Sequence, residues 1–301
     1  MVGRRTSTFA LALLLAFSWA HGRANTCDTA CLRSHLDAYM SALPTRDPAL
    51  LKLARDVRFT ENGTSLSVGS GLWRTASGLG GYRHFMVDPV SQQAMFIGIV
   101  HEGGESAIAT IRLKIADDAI REIEHVVARK GSHALFAPQA FVKPHPSLTT
   151  PVAQRLSRER LIEIANSYFE GIEQHDSKII HASESCQRIE NGVQTTNQSG
   201  RRSRNCAHSA DLLTHIKAVR DRRFPIVDVD HGIVVATVLF DIPEGTPESV
   251  AFAGGAQATA RTRELRTLLL TEWFKIDDGK TQHIEAIMHN LPHGASSGWE
   301  P

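Results

Sequence analysis

Residues two apart on a strand share a face, and near the end of this chain that spacing sets His283, Glu285 and His289 together. A carboxylate beside an imidazole steadies the imidazolium, and an imidazole ordinarily titrates near neutrality, so such a pair can pass a proton in either direction. His283 with Glu285 is therefore the leading acid/base candidate, with His289 available to hold a substrate. The same alternation, taking Ile120 as inward, places Glu122 and Glu124 on the corresponding face upstream. Glu61 and Glu190 follow Phe59 and Arg188 at strand spacing and complete the acidic candidates, although Arg188 with Glu190 also reads as a structural ion pair. Arg112, among apolar neighbours, either pairs with an acid such as Glu61 or Glu124 or holds an anionic substrate group. Tyr39 and Tyr168 lie on apolar helix faces and could lend hydroxyls to a site while their rings pack. Asp88 and Asp228, each placed at the start of a strand, read as turn caps.

Other chemistries find little support. His283 and His289 would lie roughly 20 Å apart on an extended strand at about 3.3 Å per residue, too far to share one ion. Zinc at Cys27 and Cys31 lacks a second ligand pair nearby in sequence. No GxSxG elbow, P-loop, GxGxxG or HExxH pattern occurs, so no metal and no cofactor is expected.

The elements that must position these residues come in two sets. Residues 32–63 and 161–192 align without a gap at an offset of 129: Leu32 with Leu161, Tyr39 with Tyr168, Asp47 with Asp176, and Glu61-Asn62-Gly63 with Glu190-Asn191-Gly192. Val87-Asp88 then answers Val227-Asp228 at an offset of 140, and Ile123-Glu124 answers Ile284-Glu285 at 161. Insertions holding Cys206 and spanning 242–265 account for the growth. In each copy, helical spacing (Leu32, Leu36, Tyr39, Met40, Leu43) precedes a short second helix expected over 49–55, with its counterpart starting at Asp176-Ser177. Strands follow at 94–100, 107–115 and 120–127, and at 233–240, 267–276 and 283–288. Prolines between 138 and 151 suggest a stiff, extended linker.

The 301 residues, 42% hydrophobic and 22% charged, suit two domains, and a net charge of +1 gives no electrostatic footprint for nucleic acid. Residues 1–24, with Arg4 and Arg5 ahead of an apolar run, read as a signal peptide, too short to span a membrane. Export to an oxidising compartment suits the four cysteines. The pairing Cys27–Cys31 and Cys186–Cys206 keeps each bond within one domain. Arg201 to Arg204 reads as a solvated basic loop.

Helices followed by antiparallel strands resemble the cone-shaped α+β rolls of the NTF2-like (SnoaL-like) superfamily. RFTENG, GLWRT, VDP, RLKI and IREIEHVVAR in the first copy, with SYFEGIE and CQRIENGVQTTNQ in the second, resemble a DUF8021-like secreted family found in fungi and bacteria. The resemblance implies two tandem rolls, each a curved antiparallel sheet over N-terminal helices with a pocket between them. The expected layout is a first domain at 25–137, a linker at 138–157 and a second domain at 158–301. The function it suggests is a cofactor-independent lyase, isomerase or dehydratase, secreted or periplasmic, acting on a small polar or aromatic compound. The second copy, which holds the histidines, is the expected working pocket. A non-catalytic module that binds a small molecule or a partner is the alternative, and a homodimer is an arrangement open to it.

Overall fold

The computed structural model describes residues 26–198, 205–243 and 265–299; residues 1–24, expected as a signal peptide, the Arg201 to Arg204 run and most of the second insertion lie outside these. Helix α1 (Thr29–Thr45) starts where the Asp28 side chain accepts from the Cys31 N–H, buries Leu32, Leu36, Tyr39, Met40 and Leu43, and stops at Arg46 in the left-handed region. After it come β1 (Leu53–Glu61), β2 (Thr64–Leu66), α2 (Leu72–Thr75), β3 (Ala76–Asp88), β4 (Gln93–Glu102), β5 (Glu105–Ala116) and β6 (Ala119–Ala128). Helix α3 (Pro146–Thr149) lies between the halves. The second half repeats the first as α4 (Arg158–Gln174), β7 (Ala182–Glu190), β8 (Val193–Gln194), β9 (Ala218–Asp228), β10 (Ile233–Ile242), β11 (Arg266–Asp277) and β12 (Lys280–Pro292).

Two separate sheets result, ordered β2-β1-β6-β5-β4-β3 and β8-β7-β12-β11-β10-β9. Among the described strands, only β1 with β6 and β7 with β12 run parallel. These are the two tandem α+β rolls expected of NTF2-like domains. The repeated Asn-Gly has a backbone reason: Asn62 and Gly63 (φ 50° and 74°), like Asn191 and Gly192 (45° and 87°), make the tight turn from β1 to β2 and from β7 to β8. The short helix expected over 49–55 is instead a 3-10 turn, Pro48–Leu50, because β1 takes up the chain from Leu53; its counterpart is Ser177–Ile179. The linker is less extended than its prolines suggested, holding a 3-10 turn at Pro138–Ala140 as well as α3.

Each sheet has two buried faces. One packs under the roll's own helix: α1 over Phe96, Ala109, Ile111, Ile123 and Val127, and α4 over Val234, Val238, Leu270, Phe274 and Ile284. The opposite faces pack on each other through Met86, Ile97, Ile108 and Val126 of the first sheet and Val235, Leu239, Trp273 and Ile287 of the second. The first sheet's edge also carries buried polar ties: the Asp88 carboxylate accepts from the Val227 N–H at 2.9 Å and pairs with Arg158 at 2.7 Å. Asp88 and Asp228 also cap their turns, as expected, through the N–H groups of Val90 and Asp230, but they end β3 and β9 rather than starting strands.

Candidate active site

The first cone gathers a polar chain inside an apolar shell. Tyr39 descends from α1, Trp73 comes from α2, Glu61 ends β1 and His125 lies on β6 directly opposite Glu61. Trp73 Nε1 donates to the Tyr39 hydroxyl at 2.7 Å, and that hydroxyl lies 2.8 Å from His125 Nε2. The ring proton is assigned to Nδ1, because that nitrogen faces the Glu61 carboxylate, which would repel a bare lone pair; Nε2 is then left to accept from the Tyr39 hydroxyl. Nδ1 faces Glu61 Oε2 at 3.5 Å, a charge contact rather than a closed hydrogen bond. Phe59 packs edge-on against the imidazole with centroids 4.8 Å apart. Tyr39, Trp73 and His125 are sealed from solvent, and Glu61 is 8% exposed.

Burial alone would raise the Glu61 carboxyl. His125, the Arg129 guanidinium at 2.9 Å and the Leu72 N–H at 2.7 Å outweigh it and hold its pKa at about 2. Glu61 is thus a fixed anion, suited to stabilising a charged His125 and a poor base itself. Tyr39 is pushed well above the ordinary phenol range, mainly by burial, and remains a donor. Gly71 keeps the carboxylate in place: a side-chain carbon there would lie 2.5 Å from Glu61 Oε2. At the edge Arg129 bridges Glu61 and Glu102 and is one third exposed.

The second cone is built differently at the same positions. Arg188 stands where Phe59 does, Glu272 on β11 where Ile111 does, and Ala286 where His125 does. Arg188 binds Glu190 at 2.6 Å and Glu272 at 2.7 Å, with its guanidinium over the Tyr168 ring at 5.1 Å. Burial pushes the Glu272 carboxyl up despite Arg188. Three fully buried atoms here have no hydrogen-bond partner: Arg188 Nη1, Glu272 Oε2 and the Tyr168 hydroxyl. The Cys186–Cys206 bond closes this cone's wall, and Cys27 joins Cys31 at the start of α1.

The residues expected on the closing strands' inward faces lie on the opposite faces. In β6 the pairing with β5 steps from Lys114↔Glu122 to Ile115↔Ile120, so Arg121 is an extra residue, and both Ile120 and Ile123 face α1. Glu124 therefore points at the second sheet, between Arg112 at 2.7 Å and Arg223 at 2.6 Å. Of the two partners considered for Arg112, Glu124 is the one observed, together with Glu122. Burial works against the Glu124 carboxylate, but Arg223 and Arg112 hold it at about 2.

Gln282 is the matching extra residue in β12, so His283, Glu285 and His289 also face away from their own cone. His283 and Glu285 do meet, Nε2 to Oε1 at 3.3 Å, but beneath the linker, where His145 stacks on His283 at 4.4 Å and the Tyr82 hydroxyl donates to Glu285. His289 accepts from Asn62 at 3.2 Å. Of the expected site residues, Glu61 and Tyr39 come together in the first cone, and Glu190, Arg188 and Tyr168 in the second. His125 and Trp73 were not among them. Neither recurs in the second copy, so a search guided by repetition passes over them; a lone histidine in IREIEHVVAR, between Glu124 and two valines, was the available signal.

Among the described residues no helix is long and apolar enough to cross a membrane. No curated protein sequence matches the chain. Solved structures similar to it include TsrD from Streptomyces laurentii, 13% identical over 44% of this chain and 90% of that one, with a TM-score of 0.31. AusH from Aspergillus nidulans is 11% identical over 48% of this chain and 92% of its own, with a TM-score of 0.29. TerC, co-crystallised with polyporic acid, is 17% identical over 42% and 90%, with a TM-score of 0.27. Likenesses this distant say nothing about activity. By sequence, the model of a family described as "Domain of unknown function (DUF8021)" matches residues 154–288, from just before α4 into β12.

Proposed function

We propose that the first domain is the working half, an acid/base catalyst of the lyase, isomerase or dehydratase kind acting on a small polar or aromatic compound outside the cytoplasm. The observation that carries this reading is the directed chain Trp73, Tyr39, His125, with the Glu61 anion behind the ring. In that chain His125 Nε2 is the base. Glu61 stabilises the imidazolium that forms, and Tyr39, turned from the ring to the substrate, donates to the developing oxyanion. Arg129 is one third exposed beside Glu61, so a substrate entering past it would have to break its ties to Glu61 and Glu102. The location outside the cytoplasm rests on the composition of residues 1–24 and on the two disulfides.

A binding module is the second reading, and the three unpartnered atoms of the second cone favour it. Buried polar groups without partners are uncommon in a native fold, and a small polar guest would satisfy them. Incubation of the purified protein with pooled extracellular metabolites, followed by mass spectrometry, separates the two. The catalytic reading predicts a product whose rate falls by about 10²–10⁴ in His125→Gln and persists in folded His283→Ala. Equal turnover by His125→Gln would refute it. An unchanged ligand retained by the wild type and lost in the stability-compensated Arg188→Met/Glu272→Gln variant, shown folded by a cooperative melt, would establish the binding module instead.

A further inference from the structure

At the start of α1, the fold supplies what the sequence around Cys27 and Cys31 lacked. His35 lies one turn after Cys31 on the same helix face, and Asp118 reaches the same place from the β5–β6 turn. One ligand atom from each of Cys27, Cys31, His35 and Asp118 falls within 4.8 Å of every other. We propose that these four residues form a zinc site gated by the Cys27–Cys31 disulfide, closed to metal while the bond is intact and open once a dithiol reduces it.

The distances fit. With Zn–S of about 2.3 Å and Zn–N and Zn–O of about 2.0–2.1 Å, a tetrahedral ion separates nitrogen from oxygen by about 3.3 Å and sulfur from oxygen by about 3.5 Å. His35 Nε2 is 3.0 Å from Asp118 Oδ1, and Cys31 Sγ is 3.9 Å from the same oxygen. The adjustments to those two pairs are a few tenths of an ångström, while the two sulfurs must part to about 3.8 Å on the same arithmetic. The backbone would hold while they do, because the Cys27 N–H and C=O are both clamped by the Gln92 side chain, at 2.6 and 2.8 Å. Charge is also provided for. Two thiolates, one carboxylate and Zn²⁺ leave a net single negative charge, and Lys52 Nζ already sits 2.7 Å from the other Asp118 oxygen. A cleft of about 230 Å³ lined by Cys31, His35, Lys52 and Asp118 gives a reductant and the ion access.

The chemistry balances in two steps. A dithiol exchanges with the Cys27–Cys31 bond, giving two thiols here and a disulfide in the reductant. Zn²⁺ then displaces one proton from each thiol, while neutral His35 and ionised Asp118 add without proton loss. The switch replaces a bond local to the start of the helix with a cross-link from α1 to the β5–β6 turn.

Cobalt tests this on the full chain. Brief phosphine treatment, checked by alkylation mapping, should open Cys27–Cys31 and spare the fully buried Cys186–Cys206. Reduced wild type is then expected to take one equivalent of Co²⁺, with thiolate-to-cobalt charge-transfer absorption and tetrahedral d–d bands, all bleached by Zn²⁺. Untreated protein should show neither band. Asp118→Asn and His35→Gln should each weaken binding at least tenfold, and Cys27→Ser/Cys31→Ser, shown folded by a cooperative melt, should lose the charge-transfer band. Persistence of that band in the double serine variant, or its absence from reduced wild type that still melts cooperatively, would overturn the proposal.

Discussion

The two cones share a helix, a tyrosine, a glutamate and a sheet, yet three positions make them chemically different. In the first, Phe59, Ile111 and His125 leave one imidazole between a phenol and a carboxylate. In the second, Arg188, Glu272 and Ala286 replace the imidazole with a guanidinium held by two acids. A proton relay needs a group that can change charge near neutral pH, and a guanidinium never does. Duplication thus kept the frame and separated the contents: one interior suited to moving a proton, the other to holding charge or a guest.

Erasing the difference should have the largest effect. His125→Ala gives the first cone the second cone's residue and should lower turnover by about 10²–10⁴, read as product formed per unit time. Attacking the second cone should instead cost stability. Arg188→Met strands Glu190 and Glu272 and should lose about 3–5 kcal/mol in denaturant unfolding, while Arg188→Met/Glu272→Gln should recover most of that loss.

The interface between the cones should register as acid sensitivity. Glu124 is depressed to about 2, so its contribution is complete above its ordinary value near 4.5 and is lost as pH falls from there through about 2. Melting temperature should fall across that window and fall less in Glu124→Gln, compared with each protein's own value at pH 6. Least in size, Gly71→Ala should cost about 1–3 kcal/mol, because Gly71 has φ 60° and ψ −131° and the added carbon would also press on the Glu61 carboxylate. A stability equal to wild type would show that both the backbone and the carboxylate are free to shift.

The frame was legible in the sequence because tight-turn chemistry and helix periodicity are local. Glu-Asn-Gly recurs because both copies need the same turn, and the spacing of Leu32, Leu36 and Tyr39 reports the buried face of α1 directly. Direction on the closing strands was not legible. One extra residue, Arg121 or Gln282, reverses every side chain after it, and nothing in IREIEHVVAR or TQHIEAIM marks the step. Nor was the packing of sheet on sheet: a strand such as Ile233–Ile242, buried on both faces, shows no alternation to say which face meets its helix. Strands β3 and β9 escaped notice because their arginines and glycines interrupt the apolar runs.

The relay itself can be tested without a substrate, by nitrogen-15 NMR of the histidine side chains in wild type and Tyr39→Phe. The first cone's geometry predicts that neutral His125 carries its proton on Nδ1, with Nε2 bare and accepting from Tyr39, and that Tyr39→Phe shifts the Nε2 resonance. A His125 protonated on Nε2 when neutral, or one indifferent to the loss of the Tyr39 hydroxyl, would contradict the account.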